Sequence, residues 1–162
     1  MTLFSLVHFL NEILRIHEVR DISNNGLQVE GDKNVVKIAF AVDACAEVFQ
    51  KAKKAGANML ITHHGISWND SLKYITSTNH TRLKFLMDNN MSLYTAHLPL
   101  DRHSDYGNNV QLFKMLQLQH TVPFGFTDGI PISFMGEFEE TMDLTDLLAL
   151  IEKKLGKSCL WN

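Results

Sequence analysis

The sequence predicts an α/β fold, a mostly parallel sheet flanked by helices, and three observations carry that prediction. Short apolar runs recur at Val35–Val42, Met59–Thr62 and Ser92–Ala96. Segments with helical spacing separate them, and alternating strands and helices imply parallel strands joined by crossover helices. Polar residues follow the runs directly: Asp43 after the first, His63 and His64 after the second, His97 after the third. Open sheets of this kind bind ligands outside the carboxyl ends of their strands, so these residues are expected to converge on one edge.

Each element has a local reason. Leu3, Leu6, Val7, Leu10, Ile13 and Leu14 recur at three- and four-residue spacing, which predicts a first helix with Thr2 or Ser5 as N-cap. Asn24-Asn25-Gly26, inside the stretch from Asp21 to Leu27, is a turn signal. Val35–Val42 is rich in β-branched and apolar residues and predicts a buried strand ending at Asp43. The Ala-rich segment from Ala44 to Ala55 predicts a helix stopped by Gly56. A second short strand over Met59–Thr62 runs into His63-His64-Gly65, and a polar loop then leads to a helix over His80–Asn89. Ser92–Ala96 predicts a third strand, followed by a loop from Leu98 to Asn108 and a helix from Asn109 to Leu116. Residues 121–131 hold two prolines and two glycines and read as a connection between lobes. Ile132–Phe138 reads as a strand, Asp143 caps a last helix through Lys154 with Gly156 as its stop, and Ser158–Asn162 reads as the beginning of another strand.

Composition excludes several classes. With 45% hydrophobic and 20% charged residues, 162 residues can bury an ordinary core. Fifteen basic against 18 acidic side chains leave a formal charge of −3, so there is no strong nucleic-acid signal. Cys45 and Cys159 form no CxxC pair, and the N-terminus lacks the basic start of a signal peptide. No apolar run approaches the roughly 18 residues of a membrane span. These features lead to the expectation of a cytoplasmic protein without a membrane partner.

The chemistry-bearing residues are mainly His and Asp. Two adjacent imidazoles at a strand end can reach one site if the backbone turns there, and they could each serve a different metal ion. The alternative for His63-His64 is a pair of surface histidines at the start of a loop. His97 and Asp101, in His-Leu-Pro-Leu-Asp, either put a carboxylate on a metal with a histidine beside it or form a turn with a capping Asp. Asp43 either caps the following helix or orients a histidine from behind. Asn25 and Gly26 form a turn that would contact substrate if it lies beside the site. His103 is the candidate general acid or base within its loop. His8, His17, His80 and His120 read as ordinary surface or helix histidines, and the aromatic residues read as core. GxxxxGK[ST], GxGxxG and GxSxG motifs are all absent.

The motifs taken in order carry a resemblance. Asn-Asn-Gly-Leu-Gln-Val at 24–29, a strand ending at Asp43, Ile-Thr-His-His at 61–64, and Ala-His-Leu-Pro-Leu-Asp at 96–101 followed by Gly107-Asn108-Asn109 resemble the NIF-three-like, or YbgI-type, dinuclear metal-center family. Members of that family are often labelled GTP cyclohydrolase I type 2 homologs. The resemblance implies a NIF-three-like α/β fold, two divalent transition-metal ions (zinc, iron or manganese), and a homohexamer built as a trimer of dimers. It maps metal ligands onto His63, His64 and Asp101, with His97 lining the same site. Two departures stand out. Gly65 occupies the place of the family's usual Pro after the histidine pair, and the further His and Glu that the family's longer C-terminal part supplies are not found here.

Two lobes are therefore expected: a metal-binding α/β lobe over 1–120, and over 121–162 a connection plus the incomplete start of a second lobe, with the C-terminal part truncated. The function expected first is a metal-dependent hydrolase acting on a nucleotide or another C–N or phosphoester bond, with His97 or His103 moving protons. The alternative is a non-enzymatic metal-binding or regulatory scaffold. A metal-free fragment with an unfinished strand is the third reading.

Overall fold

The computed structural model describes residues 1–161, and the chain divides into two compact units, Met1–Leu100 and the remainder from Asp101. The first unit is built on a four-stranded sheet. In chain order its elements are α1 (Leu3–Leu14), β1 (Gly26–Val29), β2 (Ile38–Asp43), α2 (Ala46–Lys54), β3 (Met59–His64), α3 (Ser77–Asp88) and β4 (Ser92–Thr95), and the short α4 (Leu98–Asp101) runs over its end into the first residue of the second unit. The strands lie in the order β1-β4-β3-β2, with β2, β3 and β4 parallel and β1 antiparallel to β4. The α/β class and the mostly parallel sheet are thus as the sequence predicts.

The two-residue period of the strands explains the layers. Met59 and Ile61 of β3, Ile38 of β2 and Tyr94 of β4 pack with Leu3, Leu6 and Leu14 of α1 on one face. Leu60, Leu93, Ala39 and Ala41 pack on the other face with Phe49 and Ala52 of α2 and Leu83 and Leu86 of α3. The α1 helix starts at Thr2, whose hydroxyl accepts from the Ser5 amide at 3.2 Å, which settles the cap in favour of Thr2.

Several expectations change. The turn around Asn25 leads straight into a strand: Gly26–Val29 forms β1, which pairs with β4. The first parallel strand is not buried. It is an edge strand whose Ile38 reaches the α1 cluster and whose Ala39 and Ala41 pack on the opposite face, while Phe40 and Val42 are 75% and 61% exposed. The strand of the histidine pair does not stop at Thr62, since Asp43 and His64 are still register partners.

The second unit contains α5 (Asn108–Leu116), the hairpin β5 (Gln119–Thr127) and β6 (Ile130–Glu137), and α6 (Leu144–Leu155). Residues 121–131 are therefore no connection but most of a hairpin. Asp128 and Gly129, both at positive φ (48° and 79°), make its two-residue turn. Pro131, one step from the Thr127–Ile130 pair that closes the turn, falls where the backbone N–H would face the unpaired edge of the ribbon, whereas Pro123, three steps further along the ladder, falls at the other kind of position and leaves one ladder bond unmade. Asp143 is the N-cap residue of α6, and Gly156 ends it in the left-handed conformation at φ 64°. The strand expected from Ser158 does not form over residues 158–161, and Asn162 lies outside the described residues. Among the described residues, no helix is long and apolar enough to cross a membrane.

Candidate metal centre

The parallel register brings the candidate histidines to one edge. β3 delivers His63 and His64 at its carboxyl end, and β4 delivers His97 two residues beyond its own. The His63 and His64 rings have centroids 4.6 Å apart, and His97 lies 5.0 Å from His63 and 5.5 Å from His64. One ring nitrogen from each can be chosen so that all three lie within 4.8 Å of one another. Adjacent strand residues start toward opposite faces, so the two neighbouring rings meet only because they sit at the end of the strand.

The hydrogen bonds fix what each ring offers. His63 Nδ1 lies 3.0 Å from the Ala96 carbonyl, which can only accept, so Nδ1 carries the proton. His64 Nδ1 donates to Asp43 Oδ1 at 2.8 Å, and His97 Nδ1 donates to both carboxylate oxygens of Asp21 at 3.0 Å. In the neutral form each ring thus keeps its lone pair on Nε2. Carbonyl or carboxylate partners behind metal-binding imidazoles do this same job of fixing tautomer and orientation.

The two carboxylates are not equivalent. Asp43 is 65% exposed and His64 42%, so water screens that pair and its contribution to stability is at most about 1 kcal/mol. Asp43 does not cap α2, whose N-cap is Cys45; it holds His64 instead. The Asp21 side chain is only 2% exposed. Burial alone would raise its carboxyl, but the Asn25 amide, the Ser23 backbone N–H, His97 and the Leu98 backbone N–H all donate to it. Together they hold it below the usual carboxylate range. Asn25 also accepts from the His97 backbone N–H at 2.7 Å. The Asn-Gly turn is thereby a brace for His97, with Gly26 at φ 107° carrying the chain from the brace into β1.

A second brace holds the loop after the histidine pair. Gln28 Oε1 accepts from the Ile66 and Ser67 amides at 2.8 and 3.1 Å, and its Nε2 donates to the Asn24 carbonyl at 2.8 Å. Gly65 leaves the space that this amide fills: a Cβ there would run into the Gln28 amide and the Thr95 hydroxyl. The glycine that departs from the family pattern is thus fitted to Gln28. Trp68 follows, its Nε1 donating to the Gly65 carbonyl at 3.0 Å.

The remaining predicted residues lie in the second unit. Asp101, at the end of α4, accepts from Asn108 Nδ2 at 2.8 Å. His103 Nδ1 accepts from the Asp105 and Tyr106 backbone amides at 3.1 and 3.2 Å, which ties the ring into its own loop. Sequence reasoning missed Asp21, Gln28 and Trp68. In the sequence Asp21 is visible only as the first polar residue of a turn, Gln28 lies in a strand that no apolar run announces, and Trp68 reads as core with the other aromatic residues.

Three imidazoles, each oriented from behind, are a donor set that suits a borderline transition metal such as zinc or iron. The residues present therefore fit a metal ion.

Comparison with known proteins finds similar sequences and structures. A family model described as Duf34/NIF3 (NGG1p interacting factor 3) matches residues 1–161. The protein called GTP cyclohydrolase 1 type 2 homolog in Pyrococcus abyssi is 48% identical over 150 residues, 93% of this chain and 60% of that one. Its namesake in Escherichia coli is 36% identical over 156 residues, covering 96% and 61%. Among solved structures, one described as protein ybgI, of unknown function, has a TM-score of 0.90 at 34% identity. It covers 100% of this chain and 64% of that one. TTHA1606 from Thermus thermophilus has a TM-score of 0.73 at 41% identity, over 76% and 51%. The chain spans about three fifths of the length of the curated relatives it matches.

Proposed function

This chain belongs to the Duf34/NIF3 family, and on that premise we propose that it carries a metal-dependent hydrolytic centre at the carboxyl edge of its parallel strands. One observation supports this above the rest: three histidine nitrogens within 4.8 Å, with every Nδ1 proton committed to an acceptor behind the ring. A bound divalent ion would supply Lewis acidity and a water made nucleophilic near neutral pH. His63 and His64 would hold the ion through Nε2. His97 takes and returns a proton at Nε2, and the buried Asp21 carboxylate stabilises the imidazolium that forms. Asp101 as a further ligand, two ions per chain and a hexameric ring are proposed on the family pattern alone, and residence in the cytoplasm on the cysteine usage and N-terminal sequence. A nucleotide substrate is proposed too, which the name of the relatives suggests.

Metal content separates these roles. Elemental analysis of gel-filtered protein is expected to find transition metal in the wild type, a marked loss in His64→Ala and Asp101→Ala, and retention in His97→Gln with loss of nucleotide hydrolysis. Unchanged metal in His64→Ala would remove the centre from this edge, and loss of metal in His97→Gln would make that ring a ligand. A non-catalytic metal-binding scaffold is the second reading. Among the described residues the cluster has three donor groups, few for two ions, so it bears on the two-ion centre rather than on whether a single ion keeps an open position.

A further inference from the structure

Trp68 takes no part in the proposed metal chemistry, and its placement calls for a role. It belongs to neither apolar cluster of the first unit, although it is one of only two tryptophans in the chain. It is half-buried, and its ring meets two of the three candidate histidines. Its centroid lies 5.1 Å from that of His97 in an edge-on arrangement at 74°, and 5.9 Å from that of His64 at 49°.

The ring is also pinned. Its only polar atom is satisfied inside the protein by the Gly65 carbonyl. The Trp68 backbone amide donates to Ser71 Oγ at 2.8 Å, and Ser23 and Trp68 form an isolated antiparallel bridge. On either side, Asn24 donates its backbone N–H to the Ser67 carbonyl at 3.1 Å, and Asn69 donates its own to the Ile22 carbonyl at 2.7 Å. An indole held this way has little conformational freedom left to lose on binding and no free N–H to offer. What it presents is a fixed π-surface beside the histidines.

We propose that Trp68 is the aromatic wall on which a planar heteroaromatic ring of the ligand stacks, next to the histidine cluster. The inference rests on the metal reading of that cluster for where the reacting end of the ligand lies. Stacking explains the combination of features better than core packing does, because a core tryptophan would bury its ring in apolar neighbours rather than lean on polar rings at a strand edge. It also sets the ligand class: a nucleobase-like ring with polar groups at one end, held against Trp68 by dispersion and charge distribution rather than by hydrogen bonds to the indole.

The test uses Trp161→Phe protein, in which Trp68 is the sole fluorophore of its kind. GTP, ATP and CTP are titrated against inorganic tripolyphosphate, which carries the charge but no ring. Ring-dependent, saturable quenching is expected from at least one nucleotide and not from tripolyphosphate. Calorimetry should then show Trp68→Leu binding that nucleotide about tenfold or more weakly, with Trp68→Phe restoring most of the affinity and metal content unchanged in both. Equal quenching by tripolyphosphate, no quenching by any nucleotide, or full affinity in Trp68→Leu would overturn the proposal. So would metal loss in Trp68→Leu, since the indole would then be supporting the histidines. Measuring metal on the same samples keeps the two readings apart. Metal without stacking sinks only the role of Trp68, and stacking on a chain that takes up no metal sinks only the metal centre.

Discussion

At the scale of single residues, Asp21 decides how His97 behaves. Four groups donate to a carboxylate that is nearly sealed from water, so removing its charge removes an acceptor from all of them. Its carboxyl is held below the usual range in the folded protein, whereas in the unfolded chain it titrates at about 3.9. A lowered folded value means stability that is fully present above the unfolded value and lost as pH falls through the folded one. On metal-free protein, the difference in unfolding free energy between wild type and Asp21→Asn is expected to be level near neutrality and to shrink as the medium is acidified below about pH 4. Urea titrations across that range check this, and a difference that stays constant in acid would mean Asp21 is not charged in the fold. The histidine pair, His97 and Asp43 could be read from the sequence because each follows an apolar run directly. Asp21 and Gln28 could not, since what makes them matter is 76 and 38 residues away in the chain, at His97 and Ile66.

At the scale of elements, periodicity was a good guide where an element packs on a core and a poor one elsewhere. The α1 helix, β3 and β4 follow their apolar spacing because two layers of side chains enforce it. Most of β5 is exposed, so no apolar spacing marks it, and its prolines and glycines conceal a strand that the Asp128-Gly129 turn signals. That turn needs positive φ at both positions. Gly129→Val is expected to lower stability by about 1–2 kcal/mol, because a β-branched side chain is strained in the left-handed region. Gly129→Asn should cost clearly less, as Asn enters that region more readily. Chemical denaturation of both variants distinguishes them, and equal losses would show that φ at residue 129 is not what holds the hairpin.

At the scale of the whole molecule, the chain covers about three fifths of its relatives and yet contains the three histidines and the braces behind them within Met1–Leu100. A site made of groups that folding alone brings together should couple metal binding to stability. Any ion that binds the folded chain and not the unfolded one stabilises it by mass action, by about 2.7 kcal/mol at a hundredfold excess over its dissociation constant. Zinc is therefore expected to raise the unfolding free energy by that order, and a chelator to reverse it. The His63→Ala/His64→Ala double variant should still fold, since both rings are only partly buried at the end of β3 and neither belongs to an apolar cluster. It should, however, gain nothing from zinc. Thermal or urea unfolding with and without zinc reads both effects. If the double variant were stabilised as much as the wild type, the ion would be binding elsewhere, and the edge where β3 and β4 end would lose its claim to be the metal centre.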